Sequence, residues 1–217
     1  MILFQLVRHV LKTNQKSKKE LKPIRSKNFN ERVQVDLIDY QASPDGEYKY
    51  IMVYQDHFTK FVQLQPLKSK TANEVKKSIE EIFDDFGPPK ILHTDNGREF
   101  KNSLIDSFIN DYPGLSIVHG RPRHSQSQGS VERANQDVEH ILCAWMADNT
   151  TKEWVLGVRK VQAIKNNRYH STLKNSPYKC LFGVDYLQRS MESTVTNISS
   201  DEDEEFEDNL EMTGEFL

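Results

Sequence analysis

The stretch Lys90–Phe100 reads KILHTDNGREF. Lys90 to His93 predicts a short strand, Thr94-Asp95-Asn96-Gly97 follows as a turn, and a helix is expected from about Glu99 to Asn110. That order puts Asp95 at the carboxyl end of a strand, where ligands gather in open α/β sheets. On its own, Asp-Asn-Gly is more often a plain turn, because Asn and Gly tolerate left-handed backbone angles. Its surroundings decide the reading.

Upstream, Thr71 and Glu74 have capping-box spacing, and Ala72, Val75, Ile79, Ile82, Phe83 and Phe86 recur at helical intervals until Gly87-Pro88-Pro89 stops them. Further back, Val33–Asp39 alternates as VQVDLID, so Asp36 falls on the face opposite Val35 and Leu37 if this is a strand. After the turn-like Ser43-Pro44-Asp45-Gly46, two β-rich runs, Tyr48–Tyr54 and Phe61–Leu64, complete an antiparallel meander. Downstream, Leu115–Val118 predicts another strand, and Gly120–Gly129 a Gly-, Pro- and Ser-rich loop. A helix then carries Val131, Ala134, Val138, Ile141, Leu142 and Trp145 on its buried stripe, with Glu132 off the stripe in the first turn. A last helix is expected over about Trp154–Arg168, before an irregular tail. The fold class is therefore α/β, a mixed five-stranded sheet flanked by helices.

In this arrangement Asp36 and Asp95 lie side by side if the first and fourth strands pair, within reach of Glu132. Three converging carboxylates repel one another unless cations compensate, which makes them candidate ligands of a metal site. Oxygen-only donors favour Mg²⁺ or Mn²⁺, and two such ions promote in-line displacement at a phosphodiester. Asp39 is expected on the other side of its strand and Asp56 at the end of the second, so neither joins the set. Taken alone, Glu132 reads equally as a solvated acid favoured by the helix dipole.

Three runs carry a family resemblance: VDLID at Val35–Asp39, HTDNGREF at His93–Phe100 and HSQSQGSVERAN at His124–Asn135. Together they resemble the catalytic core of retroviral and retrotransposon integrases, the DDE transposases of the RNase H-like superfamily. The spacing agrees, with 58 residues between Asp36 and Asp95 and 36 between Asp95 and Glu132, one more than many members of that family have. YHSTLKNSPYKCLFG at Tyr169–Gly183 looks like the segment that closes the domain in gypsy-like integrases, and the resemblance spans roughly Ser26–Gly183. ERVQVDLIDY and DVEHILCAWM are similar to Ginger-type transposon integrases and to host proteins derived from them, one class of which carries a KRAB-A domain. The resemblance implies that Asp36, Asp95 and Glu132 are both catalytic and metal-binding, with Asp36 and Asp95 on one Mg²⁺ (or Mn²⁺) and Asp36 and Glu132 on a second. It implies attack by water or a DNA 3′-hydroxyl, DNA as partner, and a homo-oligomer, by default a dimer. His124, Gln126, Gln128, Arg133 and Asn135 surround the candidate Glu with donors suited to DNA.

Charge and composition bound this reading. Asp201–Leu217 holds nine acidic residues and no Lys or Arg; without it, 29 basic residues face 23 acidic ones. The resulting balance of +6 suits a polyanionic partner as well as it suits an ordinary solvated surface. The expected organisation is a basic segment over residues 1–25, a core over 26–185 and an acidic disordered tail over 186–217. Lys12, Lys16, Lys18, Lys19, Lys22, Arg25 and Lys27 concentrate positive charge before the first strand, as a phosphate-contacting arm or a linker. The first segment lacks a CxxC pair and matching histidines, so the zinc domain usual in such integrases is expected to be absent or truncated. The opening apolar run is too short for a signal peptide, and neither a membrane nor a small-molecule substrate is expected. The expected location is intracellular, in the nucleus or in nucleus and cytoplasm, and not secreted. Cys143 and Cys180 are read as buried small hydrophobes, Trp145 and Trp154 as core, and His57, His119 and His170 as structural or surface residues. Two functions compete with a strand-transferring enzyme: a domesticated or truncated transposon-derived nucleic-acid-binding module, and a hydrolytic nuclease such as RNase H.

Overall fold

Alternation in the first apolar run becomes strand β1, Arg32–Asp39, which pairs antiparallel with β2, Tyr50–Asp56. β2 in turn pairs antiparallel with β3, Val62–Leu67, completing the meander. The computed structural model describes residues 26–120 and 125–186, with no side chains described over 121–130. The basic segment 1–25 and the acidic stretch within 187–217 lie outside the described residues.

After β3 come α1 (Ala72–Phe86), β4 (Ile91–Thr94), α2 (Ser103–Asn110), β5 (Ser116–His119), α3 (Ser125–Asp148), α4 (Trp154–Asn167) and α5 (Pro177–Phe182). The five strands form one sheet in the order β3-β2-β1-β4-β5, with β4 parallel to both β1 and β5. This is the mixed, helix-flanked sheet expected from the sequence.

Each face of the sheet has its own core. Val33, Val35, Met52 and Leu92 pack with Val75, Ile79, Ile82 and Phe83 of α1 and with Ile105 and Phe108 of α2. On the opposite face Ile38, Ile51, Val53 and Leu64 pack with Val131, Val138 and Leu142 of α3 and Trp154, Val158 and Val161 of α4. Strand parity therefore turns Gln34, Asp36 and Ile38 together toward α3. α3 and α4 approach closely because Gly157 has no side chain: a Cβ there would sit 2.5 Å from the Trp145 ring. The outer strand is tied down by side chains. Asn166 accepts from Val62 N–H at 2.8 Å and donates to Val62 C=O at 2.9 Å, while Gln162 accepts from Leu64 N–H at 2.8 Å. An edge that would otherwise recruit another strand is thereby occupied.

Several local expectations change. The Thr71 side chain makes no capping hydrogen bond; Glu74 instead accepts from Lys68 N–H (2.6 Å) and Ser69 N–H (2.8 Å), because the incoming loop folds back over the first turn of α1. α2 starts at Ser103 rather than near Glu99, since Asn102 caps it by accepting from Ile105 N–H at 3.0 Å. The expected loop over Gly120–Gly129 is shortened: α3 begins at Ser125, so Glu132 lies in its second turn and not its first. Extending a helix already anchored by Val131, Ala134 and Val138 is far cheaper than nucleating one, and that outweighs Gly129. The expected irregular tail contains α5, with Ser176 as N-cap, Pro177 in the first turn and Gly183 closing it at φ 79°. Cys143 is exposed and Cys180 half-buried, so neither is the buried hydrophobe expected: Cys143 faces away from the stripe that holds α3 on the sheet.

Candidate active site

The parallel β1–β4 ladder pairs Arg32 with Ile91, Val33 with Leu92 and Gln34 with His93. The same offset carried two residues on sets Asp36 beside Asp95. Both stand at the edge of an open cleft of about 230 Å³, lined by Gln34, Val35, Asp36, Asp95, Val131 and Glu132. Two of the carboxylates thus come from neighbouring strands and the third from the helix laid across them.

Backbone geometry fixes Asp95. Its Oδ1 accepts from Gly97 N–H at 2.8 Å, the Asx-turn that Asp-Asn-Gly favours. The following turn is pinned by Phe100, 1% exposed, whose N–H reaches Gly97 C=O at 3.1 Å. From the β5 side, Gly120 N–H donates to Thr94 C=O at 2.8 Å, Asn96 Nδ2 donates to Gly120 C=O, and Thr94 Oγ1 pairs with His119 Nδ1 at 2.9 Å. His119 is therefore a structural latch, the first of the two readings, structural or surface, that the sequence left open for it.

Asp36 is half-buried on the α3 side. Its Oδ1 accepts from Leu37 N–H at 3.0 Å and its Oδ2 from Asn135 Nδ2 at 2.8 Å. Burial is the largest influence on its carboxyl and raises the pKa above the ordinary value. The two hydrogen bonds pull it down again, and the charges of Asp95 and Glu132 push it further up. The charges of Asp95 and Glu132 thus reach Asp36, and the three carboxylates line one cleft. Their oxygens are the hard donors that suit Mg²⁺ or Mn²⁺. Among the described residues, however, no three His, Cys, Asp or Glu side chains are gathered closely enough to hold an ion. The donor chemistry fits a divalent cation, while the carboxylates are spaced around a cleft and not drawn into a coordination shell.

The other expected site residues divide. Glu132 and Arg133 are exposed on α3, and Asn135 turns inward to Asp36. His124 lies outside the described residues, and Gln126 and Gln128 lie in the first turn of α3, where side chains are not described. Gln34, Val35 and Val131 also line the cleft although sequence reasoning did not single them out for it. Gln34 had a signal: it shares the parity of Asp36 on β1. Asp56, set aside in the sequence, is a structural carboxylate. It accepts from the N–H groups of Asn30 (3.0 Å), Phe58 (3.0 Å) and Thr59 (2.6 Å) and so ties the β2–β3 turn to the chain entering β1.

Known proteins agree with this architecture. Residues 27–125 match the family model described as the integrase core domain. The human KRAB-A domain-containing protein 2 is 37% identical over 196 residues, covering 88% of this chain and 40% of that protein. The Pro-Pol polyprotein of simian foamy virus type 1 is 30% identical over 168 residues, covering 76% of this chain and 14% of the polyprotein. The chain thus spans less than half the length of these relatives. Among solved structures, the HTLV-2 integrase catalytic core domain, in complex with magnesium and in trimeric form, superposes with a TM-score of 0.61 at 20% identity. That match covers 71% of this chain and 98% of the HTLV-2 chain, and it is a likeness of fold. The chain shares the fold of that catalytic core, and residues 27–125, with Asp36 and Asp95 among them, carry an integrase core domain.

Proposed function

We propose that this chain is a polynucleotidyl transferase core that acts on DNA phosphodiesters with two divalent cations, Mg²⁺ or Mn²⁺. The observation that carries the proposal is the shared cleft of Asp36, Asp95 and Glu132, in which the charges of Asp95 and Glu132 act on half-buried Asp36. Such a cluster is costly while uncompensated and favourable once cations neutralise it. Following the integrase resemblance, Asp36 and Asp95 would hold one cation and Asp36 and Glu132 the other. The bound cations supply charge neutralisation at the phosphodiester and activation of the attacking oxygen. The chain's own residues do the rest. Gly97 N–H keeps Asp95 turned at the strand end, Val35 and Val131 give the cleft an apolar wall, and exposed Arg133 lies beside Glu132 to meet a phosphate. His124, Gln126 and Gln128 are further DNA contacts in this reading, which also makes the protein nuclear and a homo-oligomer. Residues 26–185 form the functional core in this reading.

Cation titration tests this directly. Wild-type protein is expected to bind Mn²⁺ at least tenfold more tightly than Asp95→Asn; equal affinity, or no binding to either, removes the metal site. A second reading is a domesticated or truncated nucleic-acid-binding module without catalysis. It is favoured by the open spacing of the carboxylates and by the 37% identity to a human protein named for a different domain. Salt-sensitive DNA binding with no cleavage under any metal condition would select it. No described helix is long and apolar enough to cross a membrane.

A further inference from the structure

Asn135 lies one helical turn beyond Glu132 on the same helix, and the side chain of Asn135 is directed at β1. Its Nδ2 donates to Asp36 Oδ2 at 2.8 Å, a charge-assisted bond between α3 and the central strand. The other half of the same amide is unusual: Asn135 Oδ1 is buried and has no hydrogen-bond partner among the described residues. A buried acceptor left without a donor is unfavourable, so the side chain is held there by what its donor side gains. The alternative amide orientation would present Oδ1 to the Asp36 carboxylate, oxygen against oxygen, and is excluded by repulsion. The neutral amide donor satisfies Asp36 Oδ2 without adding charge to a cleft that already holds three carboxylates.

We infer that Asn135 is a positioning residue, which fixes the orientation of the Asp36 carboxylate and, through α3, the placement of Glu132 opposite it. Leu37 N–H holds one carboxylate oxygen and Asn135 the other, so the plane of the Asp36 carboxylate is set from two sides. Each oxygen keeps an acceptor site toward the cleft, which is what a ligand shared between two cations requires. This inference rests on the cation-binding reading above. It adds a residue whose contribution is geometric and which touches neither cation nor DNA.

The test is a double-mutant cycle on Mn²⁺ affinity in the full chain: wild type, Asn135→Leu, Asp36→Asn and the double variant, with Val138→Ala as a control for loosening of α3. Asn135→Leu is expected to weaken Mn²⁺ binding about tenfold in the wild-type background and to have no further effect once Asp36 is Asn. Val138→Ala, even when more destabilising, is expected to leave Mn²⁺ affinity within about twofold. An equal loss in both Asp36 backgrounds, or a loss in Val138→Ala matching that of Asn135→Leu, overturns the assignment. A metal-free measurement separates this inference from the functional reading. The Asn135 side-chain NH₂ resonances should be protected from solvent exchange in wild type and lose that protection in Asp36→Ala, which has no side-chain acceptor. Protection without any Mn²⁺ binding would defeat the metal site while keeping the Asn135–Asp36 tie; Mn²⁺ binding with an unprotected amide would defeat the tie alone.

Discussion

The strand ends that carry Asp36 and Asp95 and the helix that carries Glu132 are built by different rules. Asp36 and Asp95 are set by a backbone ladder, and their turn is closed by local bonds: Gly97 N–H to Asp95, Gly120 N–H to Thr94 C=O. Glu132 has no ladder to hold it. Its position follows from how α3 docks, through Val131, Val138 and Leu142 below it, the Asn135–Asp36 bond beside it and the close α3–α4 contact at Gly157. The difference teaches that two-thirds of the candidate site is fixed by short-range geometry, while the last third depends on side-chain packing of a helix.

The largest effect should come from undermining the ladder-held half. Phe100→Ala empties a fully buried ring site under the Asp95 turn and is expected to cost about 3–5 kcal/mol in urea unfolding. A loss under 1 kcal/mol would mean that the turn stands without that anchor. The packing-held half is probed by Gly157→Ala, whose new methyl must push against Trp145 and Leu142 and is expected to cost roughly 1–3 kcal/mol. If the comparison holds, this variant displaces Glu132 while leaving Asp36 and Asp95 paired. Crystal structures of both variants would show whether the two halves move separately or together.

A smaller and opposite effect is expected at the start of α3. With the helix beginning at Ser125, Gly129 is interior to it, and Gly129→Ala should stabilise the protein by up to about 1 kcal/mol. A destabilisation would restore the loop that the sequence suggested.

The smallest change concerns pH at the far end of β1. Burial, the largest influence, together with Lys60, Arg32 and His93, lowers the His57 pKa to about 4, against the opposing charge of Glu31. Because the folded value lies below the ordinary 6.5, the unfolded chain binds more protons between the two. The contribution is therefore present above about pH 6.5 and is lost as the pH falls toward 4. His57→Gln should reduce the slope of stability against pH in that window. It should not abolish it, since burial also lowers His93 and His170. An unchanged slope would show that His57 does not contribute to it.

How much of this was legible follows from the same contrast. Period-two alternation in VDLID and the Asp-Asn-Gly turn gave both strand-borne carboxylates their places, because strand parity and turn chemistry are local. The stripe Val131, Ala134, Val138, Leu142 announced the helix under Glu132 but not its onset, because Ser, Gln and Gly before Val131 carry no periodic signal and the helix extends through them. The Asn135–Asp36 bond was not legible, since nothing local reveals that a residue 99 positions earlier receives that amide. The Asn166 and Gln162 bonds to β3 escaped for the same reason, as both join residues about a hundred positions apart. α5 is different: Ser176, Pro177 and Gly183 are legible cap signals, and the helix is short enough at six residues to pass for a loop.

The most direct test of the central claim is nicking and strand transfer on short DNA duplexes in Mn²⁺, comparing wild type with Glu132→Gln. Activity is expected in wild type and its loss in the variant, with DNA binding retained by both. Activity undiminished in Glu132→Gln, or none in folded wild-type protein that still binds DNA, would contradict the central claim, the latter leaving an integrase core that binds DNA without cutting it.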